Sequence, residues 1–508
     1  MSANVREPAR KLARPILRSA VALLTLLLLT TSVVNAQDFP TVPADPPAPP
    51  GEDPGSPRPD IVVFVLDDIP PLDGRLWEKL PNIRRLFVEQ GVEFTDAHGE
   101  TPTCCPGRAG FLTGLHTHHH GAFRTDGSLF QPDMTIATQL QDSGYRTIQV
   151  GKYLNLFERV FPKLPPGWSD FHGFGGAYYD YRLWSNGRPR EFGRRRKDYS
   201  TDVIRRTALA AIDKVSRDKR IFAWLTPYSM HKPWTVAPRH KRSRKCRGIE
   251  TWKPPGYMEQ NVRDKPAYIR RRPRIRKKGL ELKNICRGLL SVDEMVGKVA
   301  NRLRKAGRLD NTLLILAGDN GMSFGSQRIL HDKKVPYATQ IPLFMRWPRV
   351  LGTTPRRIDE RVMNIDLAPT LCDIVGCRLG PYPTGQRRPD GVSLLRLMTG
   401  ERERLGRTTT LASYQDDGHR VPTYWSARST SSSPLARQVC KLRDSGGCRW
   451  LYTVYETGEK ELYDISNGPC HSWKRKESGD PCMLENRAGK KKYAGVQRAM
   501  ARQLNRLH

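Results

Sequence analysis

Four short apolar runs in this 508-residue chain each end in residues with chemistry to offer. Residues 61–66 (IVVFVL) lead into Asp67 and Asp68, and residues 146–150 (RTIQV) into Gly151, Lys152 and Asn155. Residues 221–225 (IFAWL) lead through Pro227 to His231, and residues 312–317 (TLLILA) into Gly318, Asp319, Asn320 and Gly321. Asp67, Asp68, Asp319 and Asn320 supply hard oxygen ligands without thiolate or imidazole, a set that suits calcium or magnesium over zinc. Arg108, Lys152 and Lys333 could spread charge around an anionic ester, and His231 could give a proton to a departing alkoxide. Each run alone has a plainer reading. An Asp after a strand often caps the next helix, and Asp-Asn-Gly is a common turn.

Continuous apolar runs alternate along the chain with longer helical stretches, the pattern of an α/β protein with buried, largely parallel strands. In such sheets ligands gather beyond the carboxyl ends of the strands, where all four polar sets fall. Between the first two runs lies Cys104, with Pro106 two residues on, Arg108 two beyond, and a short helical run closed by Thr113 and Gly114. A helix beginning near Gly107 would put Cys104 at its positive end, which favours an oxyanion. A structural or disulfide-forming pair of Cys104 and Cys105 is the alternative.

C-x-P-x-R followed by a short helix and Thr-Gly resembles the signature of the type I sulfatases. The resemblance runs from about residue 58 to 400 and is nearest to N-acetylglucosamine-6-sulfatases and extracellular heparan glucosamine-6-sulfatases. Its segments are 65–68 (VLDD), 104–114, 151–155 (GKYLN), 231–234 (HKPW), 289–296 (LLSVDEMV), 318–321 (GDNG), 332–337 (DKKVPY), 364–370 (NIDLAPT) and 390–395 (DGVSLL). Residues 461–465 (ELYDI) resemble a strand of the family's smaller C-terminal domain.

The resemblance implies an alkaline phosphatase superfamily fold, a large mixed, mostly parallel sheet between helices. The catalytic domain would span 60–400 and a smaller C-terminal α+β domain 401–508. It implies that a formylglycine-generating enzyme oxidises Cys104 to formylglycine, and that Asp67, Asp68, Asp319, Asn320 and the converted Cys104 bind one calcium ion. Arg108 and Lys152 would hold the formylglycine, while His231 and Lys333 engage the sulfate ester. The gem-diol would attack sulfur, the sugar alcohol leave, and the sulfated hemiacetal collapse to aldehyde and sulfate. The chain departs from the family at several positions. Gly107 replaces the usual Ser, Ala338 stands where many relatives have Glu, and Leu154 and Asn155 occupy a region where many carry His. The run 116–120 (HTHHH) resembles a His-x-His of the glucosamine-6-sulfatase group and is either a substrate contact or a packed turn.

The N-terminus carries Arg6, Arg10, Lys11, Arg14 and Arg18, then an apolar run and Val34-Asn35-Ala36, the pattern of a signal peptide over 1–36 cut before Gln37. The run is short for a membrane anchor. Residues 37–59 read as a Pro-rich linker. Ten cysteines suit an oxidising compartment. Neighbour pairing would join Cys246 to Cys286, Cys372 to Cys377, Cys440 to Cys448 and Cys470 to Cys482, leaving Cys105 unpaired. No Asn-x-Ser/Thr sequon occurs, which favours a bacterial exported protein, secreted and in some settings held at the cell envelope.

The formal net charge of +34 concentrates anionic partners, with basic clusters at 194–197, 239–247, 270–278, 474–476 and 490–492. Aromatic residues seldom interleave these clusters, so a sulfated glycan such as a glycosaminoglycan, or an anionic envelope, suits them better than nucleic acid. A solvated, arginine-rich surface is the plain alternative. The expected function is hydrolysis of sulfate esters of sugars resembling glucosamine-6-sulfate. Two other readings stay open: a phosphodiesterase or phosphonate hydrolase of the same superfamily, and an inactive sulfatase-like protein that binds polyanions.

Overall fold

The computed structural model describes residues 58–508, apart from 70–74, 161–163, 250, 252, 254–255, 276–278, 280, 417, 419, 431–448, 467–479 and 481. The expected signal peptide and nearly all of the linker lie outside the described residues.

The ten strands of the main sheet are, in chain order, β1 (Asp60–Leu66), β2 (Val92–Phe94), β3 (Arg146–Lys152), β4 (Asp170–Phe174), β5 (Tyr181–Ser185), β6 (Arg188–Phe192), β7 (Ile221–Thr226), β8 (Thr312–Gly318), β9 (Leu343–Arg346) and β10 (Arg356–Ile358). Their spatial order is β10-β2-β9-β8-β1-β7-β3-β4-β5-β6. The central five, from β8 to β4, are parallel neighbours. Antiparallel pairings flank them, which makes the sheet mixed.

The alternation within β1 explains its unbroken apolar run. Val62, Phe64 and Leu66 face one core together with Val203, Ile204, Leu289, Val292 and Val296. Ile61, Val63 and Val65 face a second core with Ala109, Leu112, Ile136, Leu140 and Leu371. Both faces of the strand are covered, so neither set of alternating positions is left polar.

The covering helices are α1 (Cys104–Thr113), α2 (Ile136–Asp142), α3 (Ser200–Asp213), α4 (Leu282–Lys305) and α5 (Leu367–Val375). α3 and α4 lie on the first face, and α1, α2 and α5 on the second. Residues 409–508 add an antiparallel meander of β11 (Thr409–Tyr414), β12 (Tyr424–Ser429), β13 (Trp450–Tyr455) and β14 (Lys460–Asp464). Helix α6 (Ala494–Leu507) packs on it through Val496, Met500 and Leu504, against Leu411, Trp450, Tyr452 and Leu462. This is the small C-terminal sheet the family resemblance implied.

Cys246–Cys286 and Cys372–Cys377 are disulfides, as neighbour pairing expected. Cys482 is also disulfide-bonded, while Cys440, Cys448 and Cys470 lie outside the described residues. Cys104 and Cys105 are free and buried. Among the described residues no helix is long and apolar enough to cross a membrane.

Candidate active site

The four strands with polar ends are consecutive in the sheet, in the order β8, β1, β7, β3. Leu66 lies opposite Gly318, so Asp67 and Asp319 follow side by side. Gly151 lies opposite Thr226, one residue before Lys152. A Cβ on Gly151 would stand 2.2 Å from the Thr226 carbonyl oxygen, and the residue's φ is +121°, so the approach of β3 to β7 here requires glycine. Asp68 has φ 55°, a conformation that Asp tolerates better than most residues. That turn lets two successive carboxylates serve one site, where a continuing strand would send them to opposite faces.

Helix α1 starts at Cys104 itself, three residues earlier than expected. Pro106 then sits in the first turn, where its missing N–H costs nothing because first-turn amides have no intrahelical acceptor. The spacing of four residues puts Cys104 and Arg108 on one helix face. Arg108 Nε donates to Asp319 Oδ2 at 3.0 Å, and its Nη1 donates to the Lys152 carbonyl at 2.6 Å. Arg108 Nη2 also lies 3.8 Å from Asp67 Oδ2. Lys152 Nζ donates to the same Asp67 oxygen at 2.7 Å. The Asp68 amide donates to Asp319 Oδ1 at 3.0 Å, and Asn320 Nδ2 to Asp68 Oδ1 at 2.9 Å. Lys333 Nζ donates to Asp68 Oδ1, and His231 Nε2 stands 3.4 Å from Asp68 Oδ2. Eight of the nine residues singled out in the sequence thus meet in one connected cluster, and the ninth, Cys104, has its Sγ within 4.8 Å of carboxylate oxygens of Asp67 and Asp319.

Three carboxylates and three basic side chains balance in formal charge, yet not atom by atom. Burial raises the proton affinity of Asp67, but Lys152 and Arg108 outweigh it and hold the carboxyl well below its usual range. Asp319 is pushed up to about 6, by burial first and by the adjacent Asp67 charge second. Burial works against the Lys152 ammonium, but Asp67 overcomes it and leaves that group firmly protonated. Asp67 Oδ1 is buried without a hydrogen-bond partner among the described residues. Ligand atoms of Asp67, Cys104 and Asp319 lie within 4.8 Å of one another, as do those of Asp67, Asp68 and His231. An orphaned carboxylate oxygen among hard donors is a set that a calcium or magnesium ion fits.

Cys104 Sγ donates to Asn155 Oδ1 at 3.2 Å. The Cys105 thiol is pushed up to about 12 by burial and then by Cys104, which keeps it protonated. Gly107 has a local cause: a Cβ there would lie 2.7 Å from the Asp319 carbonyl oxygen. A serine at 107 would therefore force α1 and the end of β8 apart.

Sequence reasoning missed Tyr228 and Asn364. Tyr228 Oη lies 2.6 Å from His231 Nδ1, and the Lys152 ammonium sits 5.7 Å from the Tyr228 ring centre. Asn364 Nδ2 donates to the Gly107 carbonyl at 3.0 Å, while its Oδ1 accepts from the Glu100 amide at 2.8 Å. Neither type in its local setting signals a site, although Asn364 opens one of the family-like segments. The run 116–120 closes the other end of α1, about 15 Å of helix from Cys104. There His116 N donates to Asp390 at 2.8 Å, His119 Nδ1 lies 2.8 Å from the same carboxylate, and His120 lies 3.7 Å from Glu100.

Comparison with known proteins agrees with this architecture. The human N-acetylglucosamine-6-sulfatase is 30% identical over 395 residues, covering 72% of this chain and 69% of the relative. A solved structure described as a complex with its substrate D-glucosamine-2-N,6-O-disulfate superposes with a TM-score of 0.69 at 21% identity, covering 88% of this chain and 97% of the other. A phosphonate monoester hydrolase of Agrobacterium radiobacter shares the fold as well, with a TM-score of 0.61 at 18% identity, covering 89% and 95%. The fold alone is thus common to sulfate and phosphonate chemistry. The Sulfatase family model matches residues 59–377, well over half of the chain, and on that match the chain belongs to the sulfatase family, the sulfuric ester hydrolases.

Proposed function

We propose that this protein is an exported sulfatase that cleaves sulfate esters of sugars resembling glucosamine-6-sulfate, preferably within a polyanionic glycan. The reading rests most on one observation. A buried free cysteine at a helix N-terminus lies among three carboxylates and three basic side chains at the ends of adjacent parallel strands. Conversion of Cys104 by a formylglycine-generating enzyme would supply, as a hydrated aldehyde, the oxygen that attacks sulfur. A calcium ion held by Asp67, Asp68, Asp319, Asn320 and the converted Cys104 would supply Lewis acidity.

The remaining work falls to the chain's own groups. Arg108 and Lys152 are pinned by Asp319, Asp67 and a backbone carbonyl, so they offer fixed positive charge beside residue 104. Such preorganised charge favours a transition state that gathers negative charge on oxygen. Lys333 and His231, the more accessible of the set at 12% and 29% side-chain exposure, lie where an ester would enter. Lys333 would hold a sulfate oxygen. His231 would protonate the departing sugar oxygen as the S–O bond breaks.

The basic surface supports a polymeric substrate less directly. Several cluster residues are already paired: Arg239 with Asp202 and Glu294, Arg270 with Glu459, and Lys490 with Glu485. Residues 474–476 lie outside the described residues. The positive charge in excess of such pairs would act over about a Debye length, near 8 to 10 Å, so its contribution would fade with salt. Sulfate release from heparin-like oligosaccharides and from a small aryl sulfate, each at low and high salt and beside a phosphonate monoester, tests the reading. Faster oligosaccharide turnover that weakens with salt is expected. Preference for the aryl sulfate with no salt effect on the oligosaccharide would refute the polymer substrate, and preference for the phosphonate would refute the sulfatase assignment of the site.

A further inference from the structure

Lys333 reaches the site from a segment that the C-terminal sheet grips at two points. The segment is compact, since the Val335 amide donates to the Lys333 carbonyl at 2.8 Å and the Ala338 amide to the Val335 carbonyl at 3.1 Å. Pro336 stiffens its middle. From β14, Glu461 accepts a hydrogen bond from Tyr337 Oη at 2.5 Å. From β12, Arg428 Nη2 donates to the Pro336 carbonyl at 2.7 Å. Both anchors are buried, Glu461 completely.

Glu461 is an unusual group to bury for packing alone. A buried carboxylate is costly unless its oxygens are satisfied. Here Tyr455 donates to Oε2 at 2.6 Å and Tyr463 joins Tyr337 on Oε1, so three tyrosine hydroxyls converge on one carboxylate. Tyr455 and Tyr463 belong to the same sheet as Glu461, whereas Tyr337 belongs to the catalytic segment. Val335 and Ala338 seat the segment's apolar side in a core with Tyr268, Tyr414, Tyr424 and Tyr455. The segment is therefore fixed by polar bonds on one side and by apolar burial on the other.

We propose that Glu461 and Arg428 are positioning residues for Lys333, so that the C-terminal sheet sets the reach of a catalytic ammonium without touching substrate. The proposal rests on the assignment of Lys333 to the sulfate ester. A displacement near 1 Å at a reacting group can cost up to about 100-fold in rate. Loosening one of two anchors should cost about 10-fold.

A mutant cycle on the full, converted enzyme tests this with a small aryl sulfate, which carries the sulfate group that Lys333 would hold. Tyr337→Phe and Glu461→Gln should each lower kcat/KM about 10-fold in the parent. In a Lys333→Ala background the same changes should have less than about a 2-fold effect, because the group they position is gone. Thermal midpoints of all variants separate this from a loss of folded protein. Equal losses in both backgrounds would overturn the proposal while leaving Lys333 in place. Unchanged kcat/KM for Lys333→Ala alone would overturn the assignment of Lys333 itself, and the positioning role with it.

Discussion

Replacing His231 with alanine should cost far more with a sugar sulfate than with an aryl sulfate, and the difference measures what this side chain does. Its Nδ1 lies 2.7 Å from the Lys232 carbonyl oxygen and 2.6 Å from Tyr228 Oη, two contacts that fix the orientation of the ring. The other ring nitrogen, Nε2, then faces the cluster, 3.4 Å from Asp68 Oδ2. That places Nε2 beside the reacting groups, where it would give a proton to the departing oxygen. General acid catalysis contributes typically 10²- to 10⁴-fold, about 2.7 to 5.4 kcal/mol at 1.36 kcal/mol per decade. A sugar alkoxide is a poor leaving group and needs the whole of that help, whereas an aryl oxide leaves with little. Steady-state kcat on glucosamine-6-sulfate should therefore fall by 10²-fold or more in His231→Ala, and on an activated aryl sulfate by less than about 10-fold. Tyr228→Phe should cost only several-fold on either substrate, because the Lys232 carbonyl still orients the ring. An equal loss on both substrates in His231→Ala would refute the general-acid role and leave His231 as a sulfate-binding group.

Cys104→Ala should abolish turnover while Cys105→Ala keeps part of it, and mass spectrometry of the peptide carrying both should place the aldehyde on residue 104; parent-like activity of Cys104→Ala would end that assignment. Asp319→Ala should lose bound calcium or magnesium and activity together, and elemental analysis of active parent enzyme showing neither metal would refute the cation. His116 is held down to about 3, by burial first, then partly restored by Asp390 and opposed again by His118, Arg407 and His119. Its folded value lies below the usual 6.5, so the unfolded chain takes up the proton first and stability falls as pH drops through 6.5 towards 3. At pH 5 that one group costs about 2 kcal/mol. His116→Gln should shrink the stability difference between pH 7.5 and pH 5 by about that amount, read by denaturant melts; an unchanged difference would refute it.

The parts of this site that were legible in the sequence are those encoded by local pattern. Buried parallel strands read as apolar runs, and a polar residue straight after such a run stands at the carboxyl edge of the sheet wherever the strand lies. That is why Asp67, Lys152 and Asp319 could be collected without knowing strand order, with His231 reached a few residues beyond its own run. The order β8-β1-β7-β3 could not be read, because side-by-side pairing of strands some 250 residues apart leaves no trace in either segment alone. Helix α1 starts at Cys104 and not near Gly107 because a first-turn amide has no intrahelical acceptor, so Pro106 loses nothing by standing within it.

What stayed hidden shares one property, that its meaning lies in a distant partner. Tyr228 is an ordinary tyrosine until His231 Nδ1 lies beside it, and Glu461 is one acid in a strand until Tyr337 arrives from 124 residues away. Gly107 seemed a weakened copy of a motif. In the folded chain the Asp319 carbonyl occupies the space a side chain would need, so the departure fits how closely α1 approaches β8. The same closeness brings Arg108 within 3.0 Å of Asp319. A deviation from a motif is therefore poor evidence of lost function until the neighbour that crowds the position has been identified, and here that neighbour is itself one of the proposed metal ligands.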